Sequence, residues 1–327
     1  MSEPLLTVED QRTAFATGRG LVRAVDGVSF TLERGRTLGV VGESGSGKSV
    51  LSRSIMRLLP PNARSSGAVR LGGRDLTAMS EKALRALRGP EISIVFQDPM
   101  TSLNPVMTIG AQIGEVLTRH LGMSRKAAKA RSVELLASVG LPQPDVRVDQ
   151  HPHQLSGGMR QRVAIAIAIA CEPALLIADE PTTALDVTVQ AEILDLLARQ
   201  QAERNMAMIL ITHDMGVVAG RCDDVAVMYA GRIVEQASTE DLFRDTRMPY
   251  TSALLASIPR LDDPPHRKLE AIPGRPPDLI HPPAGCAFSP RCRYADDLCR
   301  AQPPALEEAG RGHRFACWRP MAMEAAE

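Results

Sequence analysis

The stretch Gly42-Glu43-Ser44-Gly45-Ser46-Gly47-Lys48-Ser49, here called the glycine loop, follows the apolar run 38–41 and fits the pattern G-x-x-x-x-G-K-[ST]. This order predicts a strand, a glycine-rich turn and a helix that begins near Lys48. The backbone N–H groups of such a turn point inward and, with the positive end of the helix, form a nest for phosphates. An ordinary glycine-rich turn is the alternative, but the complete pattern favours phosphate binding.

Two residues of the glycine loop have side-chain tasks in nucleotide binding. Lys48 is expected to reach the terminal phosphates, and the Ser49 hydroxyl is expected to ligate Mg²⁺. The remaining predicted nucleotide contacts are residues of the loop and of the first helical turn, namely Gly42, Glu43, Ser44, Gly45, Ser46, Gly47 and Val50.

A second apolar segment, 174–178, predicts a buried strand that ends at Asp179 and Glu180. The carboxyl edge of a parallel sheet is where ligands bind. We expect Asp179 to hold Mg²⁺ and Glu180 to polarise the water that attacks the γ-phosphate of a nucleotide. Two acidic residues could simply end a strand, but the glycine loop in the same chain favours the catalytic interpretation.

A serine and two glycines, Ser156, Gly157 and Gly158, precede an apolar helical run at 163–170. Free N–H groups at such a helix start predict a second anion site, with an ordinary N-cap as the alternative. The surrounding sequence LSGGMRQR (155–162) resembles the signature of ABC-type ATPases.

The resemblance implies an α/β fold over residues 1–258, an ABC-type nucleotide-binding domain. Such a domain has a RecA-like phosphate-loop core with antiparallel β and helical subdomains, the helical one at about 105–170. The resemblance also identifies Gln97 as the Q-loop glutamine and an Mg²⁺ ligand, and His213 as the switch histidine. It makes Ala184-Leu185-Asp186 the D-loop, with Asp186 near nucleotide.

Periodicity supplies a coarser prediction of the secondary structure. We expect short strands in 5–41, further strand segments in 68–97, and helices at 111–121 and 127–140. The dipeptide Ala230-Gly231 predicts a hairpin turn.

Composition and charge narrow the functional classes. Lys and Arg together number 38, as do Asp and Glu, so the net charge is zero. The chain therefore has no excess of basic residues that would favour nucleic-acid binding. The amino terminus has no signal-peptide pattern, and the longest apolar run, 163–171, is well short of the ~20 residues of a membrane span. We therefore expect a soluble cytoplasmic protein that reaches the membrane only through partners.

The sequence after 258 predicts a proline-rich linker and a small extension, together 259–327. Eight prolines lie in 259–285, and four of the six cysteines follow, Cys286, Cys292, Cys299 and Cys317, with Phe288, Tyr294, Phe315 and Trp318 among them. So short a segment cannot bury much core, which favours a metal staple over four free thiols; disulfides are not expected in the cytosol. Cys171 and Cys222 are expected to be buried small residues.

The elements PGRPP (273–277) and GCAF (285–288) resemble the C-terminal extension of peptide-importer ATPases. In that family the four cysteines are associated with an iron–sulfur cluster, so the resemblance implies [4Fe–4S]. Zinc is the alternative, although structural zinc sites usually have tighter C-x₂₋₄-C pairs than this chain offers.

The family resemblance thus predicts an ATPase subunit that energises import of dipeptides or oligopeptides across the inner membrane, with ATP and Mg²⁺ as ligands. It implies a head-to-tail dimer with a paralogous ATPase, or a homodimer, in which Ser156, Gly157 and Gly158 contact the partner's ATP. Two transmembrane permease subunits and, through them, a periplasmic or extracellular solute-binding protein complete the complex. The chain would lie peripherally on the cytoplasmic face of the membrane and bind no nucleic acid.

Several alternatives remain open from the sequence. Nickel complexes or glutathione could be the cargo. Three other kinds of protein are alternatives: an ABC protein that acts on nucleic acid or ribosomes, an ATPase for iron–sulfur assembly, and a non-hydrolysing regulatory subunit. The residue that stacks on adenine could be Phe15, Arg19 or Val22.

Overall fold

The computed structural model describes residues 3–98, 102–183, 185–258, 271–310 and 312–321. The chain forms two compact units. The glycine-loop unit comprises Glu3–Leu32, Thr37–Thr77 and Thr212–Glu327, and the helical unit comprises Glu33–Arg36 and Ala78–Ile211. Neither unit is continuous in sequence.

The described strands, in chain order, are β1 (Leu6–Thr17), β2 (Gly20–Leu32), β3 (Thr37–Val41), β4 (Ala63–Leu71), β5 (Arg74–Asp75), β6 (Ile92–Val95), β7 (Leu175–Asp179), β8 (Ala207–Thr212), β9 (Asp224–Tyr229), β10 (Arg232–Ser238), β11 (Glu307–Glu308) and β12 (Arg314–Phe315). The described α-helices are α1 (Lys48–Ile55), α2 (Glu81–Leu87), α3 (Ile109–Leu121), α4 (Arg125–Ser138), α5 (Pro144–Arg147), α6 (Gly157–Ile169), α7 (Val187–Arg204), α8 (Met215–Val218), α9 (Thr239–Arg244), α10 (Pro249–Ala256) and α11 (Asp297–Ala301).

An antiparallel sheet of the glycine-loop unit has the strand order β2-β1-β4-β5. Its first two strands are 12 and 13 residues long, so the expectation of short strands in 5–41 was wrong. Register shifts near Val8 and Gln11 explain the difference, because bulges let a long hairpin twist while it continues to pair.

In the same unit, β3 pairs in parallel with β9, and β9, β10, β12 and β11 then pair antiparallel in that order. Every residue of β3 is buried, which sets the strand before the glycine loop in the core. The hairpin predicted at Ala230-Gly231 is confirmed, since both residues are left-handed between β9 and β10.

In the helical unit, β6, β7 and β8 form a parallel sheet in that order. The helices α3 and α4 begin two residues before the predicted starts, because Thr108 and Ser124 cap the N–H groups of Ala111 and Ala127. The strand segments predicted within 68–97 are present as the end of β4, β5 and β6, but α2, which lies between them, was not predicted. The Ser80 side chain accepts from the Ala83 N–H and begins this helix.

The C-terminal residues form hydrogen bonds with the rest of the glycine-loop unit. The segment 271–285 has neither helix nor strand, as expected of a linker, whereas the predicted linker residues 259–270 lie outside the described residues. The Arg23 N–H donates to the Leu279 carbonyl at 3.1 Å, and β12 adds to the edge of β10. No helix in the described part of the chain is long and apolar enough to cross a membrane.

A buried carboxylate joins these C-terminal residues to the rest of the unit. The Glu235 side chain has no solvent exposure. It accepts from the N–H groups of Arg247 at 2.6 Å and Met248 at 3.1 Å, and its Oε1 lies 2.9 Å from the Nε2 of His313. Loss of this carboxylate would leave three buried polar groups without their partner.

We therefore expect Glu235→Ala to lower the free energy of unfolding by about 3–5 kcal/mol, the range for breaking a buried polar pair. Urea denaturation followed by circular dichroism measures the change. Glu307→Ala, on the exposed strand β11, is the matched control and should stay within ~0.5 kcal/mol of the unsubstituted chain. Equal stability of the two variants would contradict the anchoring role.

Candidate nucleotide-binding site

The glycine loop connects β3 to α1, and contacts between backbone atoms fix its path. Gly42 has φ +153° and Gly47 has φ +105°, both outside the range that other residues adopt readily. A Cβ at Gly42 would collide with the carbonyl oxygen of Met228, and a Cβ at Gly47 with that of Ala24. The two glycines are therefore required where the loop presses against β9 and β2.

The start of α1 leaves polar groups for a ligand. Its N-cap is Gly47, which has no side chain that could cap the first turn of the helix. The Ser46 hydroxyl is buried without a hydrogen-bond partner in the described part of the chain. Lys48 is also buried, and its Nζ donates to the carbonyls of Gly42 at 2.7 Å and Glu43 at 3.1 Å. A bound phosphate would satisfy the Ser46 hydroxyl at the positive end of α1, so the loop fits a nucleotide.

Glu43 is held by side chains that the sequence did not single out. Its N–H donates to the Tyr250 hydroxyl at 2.9 Å, and its carboxylate receives two hydrogen bonds from Arg291. Burial raises the pKa of Tyr250. Tyr250 lies in an apolar helix and Arg291 between two cysteines, and neither belongs to a recognised sequence motif. The sequence alone therefore did not identify them.

In the helical unit, Asp179 is the buried last residue of β7, and Glu180 follows with a left-handed φ of +48°. The Glu180 N–H donates to the Ile211 carbonyl at 2.9 Å. Its Oε2 accepts from the Gln97 side chain and from the Thr183 hydroxyl, each at 3.0 Å. The structure thus brings Gln97 and Glu180 together, in a backbone conformation typical of functional sites.

Ser156, Gly157 and Gly158 begin α6, and the Ser156 side chain caps the Met159 N–H at 3.3 Å. Ser156 and Gly157 are exposed, so they are accessible to a partner. A Cβ at Gly158 would lie 2.8 Å from a Val189 methyl group, so this glycine also permits close packing against α7.

Asp186 and His213 lie at the ends of regular elements. Asp186 caps α7 by accepting from the Val189 N–H at 3.0 Å, while its predicted D-loop neighbour Ala184 lies outside the described residues. His213 is exposed between β8 and α8. Phe15, the aromatic candidate for adenine stacking, is half-buried and lies opposite Val22 in the β1–β2 hairpin.

The four cysteines of the C-terminal extension line one small cavity together with Phe288 and Trp318. None of the four forms a disulfide. Burial raises the pKa of Cys317 to about 12 and also raises the pKa values of Cys286 and Cys292, which favours the neutral thiols.

Within the described ranges, no group of three or more His, Cys, Asp or Glu side chains is arranged to hold a metal ion. The thiols therefore converge without forming a ligand cage. Of the two remaining cysteines, Cys222 is buried as predicted, whereas Cys171 is half-buried and that prediction was wrong.

Similarity to known proteins agrees with this geometry. Residues 25–183 match the ABC transporter family, and residues 234–299 match the family "Oligopeptide/dipeptide transporter, C-terminal region". The oligopeptide transport ATP-binding protein OppD of Bacillus subtilis is 52% identical over 96% of this chain and 88% of that protein. The dipeptide transport ATP-binding protein DppD of the same organism is 49% identical over 97% of this chain and 95% of that protein.

Among solved structures, the dimeric post-hydrolysis state of the ATP-binding cassette MJ0796 bound to ADP and Pi aligns with a TM-score of 0.65. It is 27% identical and covers 72% of this chain and 98% of that one. The fold is therefore that of an ABC cassette with mixed α/β sheets, and the class is an ATP-hydrolysing ABC protein. The chain belongs to the oligopeptide/dipeptide branch of the ABC transporter ATP-binding family.

The backbone contacts at the glycine loop predict a difference between two glycine substitutions. Gly47→Ala should lower the free energy of unfolding by about 3 kcal/mol or more and abolish ATP binding, because the new Cβ meets a carbonyl oxygen. Gly45→Ala should lose only about 1 kcal/mol, since a Cβ there meets no atom within 4 Å and only its φ of +81° opposes the change. Urea unfolding compares the two, and equal losses would show that the loop path is not fixed by these contacts.

Proposed function

We propose that this chain is the ATPase subunit that energises import of dipeptides or oligopeptides. The observation that carries the proposal is the 49–52% identity over nearly the whole chain to ATP-binding proteins of oligopeptide and dipeptide transport. Those names favour peptides over nickel complexes or glutathione as the cargo class. The phosphate-binding site formed by the glycine loop supports ATP as the energy source.

The catalytic roles follow from the chemistry of the side chains. Lys48 and the N–H groups of the glycine loop would bind the phosphates of ATP. Ser49, Gln97 and Asp179 would hold Mg²⁺, which when bound neutralises phosphate charge. Glu180 would orient and polarise the attacking water, with its carboxylate already positioned by Gln97. His213 would complete the group that senses the γ-phosphate.

The assembly proposed is a head-to-tail dimer of ATPase subunits. The exposed Ser156 and Gly157 would contact ATP held by the partner, and Asp186 would lie near the same interface. A paralogous ATPase is the proposed partner, with a homodimer as the alternative. Two permease subunits and a solute-binding protein would complete the importer. The ATPase would bind peripherally on the cytoplasmic face of the inner membrane.

The proposed domain division is a nucleotide-binding domain at 1–258, with its helical part at about 105–170, and a C-terminal extension at 259–327. We propose a metal centre held by Cys286, Cys292, Cys299 and Cys317, [4Fe–4S] with zinc as the alternative. The four thiols line one cavity, although the described side chains do not close into a ligand cage around it. The role of the metal centre would be structural, since a segment this short buries little core.

Hydrolysis is tested by Glu180→Gln, which keeps the shape of the side chain and removes the charge that polarises water. We expect ATP affinity to be retained and turnover to fall by roughly 10²-fold or more, the range for loss of a general base. Lys48→Ala should instead weaken ATP binding itself. Steady-state ATPase activity and nucleotide affinity in the assembled importer distinguish the two. Near-normal turnover by Glu180→Gln would refute the assignment.

The metal centre is tested by purifying the chain without oxygen. We expect brown protein with about four irons per chain, as four cysteine thiolates hold one [4Fe–4S] cluster. Cys299→Ser should remove the iron and loosen residues 286–320 while Lys48 and Glu180 keep their places. Colourless protein with stoichiometric zinc would leave a zinc staple in place of the cluster, and metal-free protein would refute both.

A further inference from the structure

We propose that Arg291, in the C-terminal extension, is a positioning residue of the ATP site, because it anchors and neutralises Glu43 within the glycine loop. The proposal rests on the proposed function, since it takes ATP as the ligand of that loop. It assigns the extension a direct part in nucleotide affinity.

The ion pair is bidentate and largely withdrawn from water. Arg291 Nη1 lies 2.6 Å from Glu43 Oε2, and Nη2 lies 2.9 Å from Oε1. The Arg291 side chain is 3% exposed and that of Glu43 is 26% exposed. Two parallel N–H···O⁻ bonds fix the orientation of both partners, which a lysine could not reproduce.

Arg291 is also held in place by hydrogen bonds to residues other than Glu43. Its Nε donates to the Pro273 carbonyl at 2.8 Å, and Nη2 also donates to the Ile272 carbonyl at 3.3 Å. Nη1 reaches the Tyr229 hydroxyl at 3.3 Å. These bonds and the pair to Glu43 occupy all five guanidinium N–H groups, so the side chain is rigid rather than a flexible surface cation.

Glu43, with which Arg291 pairs, lies in the loop that would bind the phosphates of ATP. Glu43 is the second residue of the glycine loop, and its carbonyl oxygen accepts from the Lys48 amine at 3.1 Å. Its N–H is fixed by the Tyr250 hydroxyl. An unpaired carboxylate at this position would repel the polyphosphate and compete for the lysine. Arg291 removes both effects by neutralising Glu43 and directing its carboxylate toward the extension.

The test measures ATP affinity of the full-length chain by displacement of a fluorescent ATP analogue. Arg291→Met removes the charge and keeps much of the volume. We expect its Kd for ATP to rise on the order of ten-fold, the usual effect of losing a charge-assisted hydrogen-bond pair. Arg293→Met is the matched control, because Arg293 is exposed and lies over the Tyr294 ring. Its Kd should equal that of the unsubstituted chain.

A second substitution distinguishes positioning of the loop from a role in stability alone. Glu43→Gln in the Arg291→Met background removes the unpaired carboxylate, so ATP affinity should recover by several-fold although stability does not. Failure to recover, or an Arg291→Met chain that binds ATP like the unsubstituted one, would overturn the proposal. If Arg291→Met does not fold, Arg291→Lys replaces it, with a smaller loss of affinity that Glu43→Gln again reduces. An unsubstituted chain that does not bind ATP would refute the proposed function instead.

Discussion

The contact of backbone with backbone at Gly42 and Gly47 is the constraint on which the ATP site depends. Neither position has room for a Cβ, because the carbonyl oxygens of Met228 and Ala24 occupy that space. The loop is thereby pressed between β9 and β2, and its path is fixed without a ligand. Pre-organisation of this kind means that ATP binding does not have to order the loop.

The C-terminal extension contributes to the same arrangement. Phe288 packs against Tyr229 and Tyr250 with ring centroids 5.3 Å from each, and the two tyrosines lie 4.5 Å apart. The Tyr250 hydroxyl then receives the Glu43 N–H. Aromatic packing near the cysteine cavity and hydrogen bonding at the glycine loop are therefore parts of one contiguous cluster. The extension is therefore packed against the glycine loop itself.

The parts of this structure whose chemistry is local could be predicted from the sequence. The glycine loop, the helix start at Ser156 and the turn at Ala230-Gly231 each depend on residues adjacent in sequence, so the sequence was sufficient to predict them. The Glu43–Arg291 pair joins residues 248 apart in sequence, and nothing in either neighbourhood indicates the other. Helix α2 was missed because it has only seven residues and lies between the strands β5 and β6. Contacts between residues that are far apart in sequence could not be predicted, because neither sequence neighbourhood indicates the other.

Amide hydrogen exchange at Glu43 in nucleotide-free protein, measured residue by residue by NMR, tests most directly whether the loop is pre-organised. A loop held by β9, β2 and the Tyr250 hydroxyl should exchange this amide far more slowly than an unstructured peptide, and ATP should slow it only modestly further. Exchange at the rate of an open loop, with protection only after ATP is added, would mean that the nucleotide orders the loop and would contradict this account.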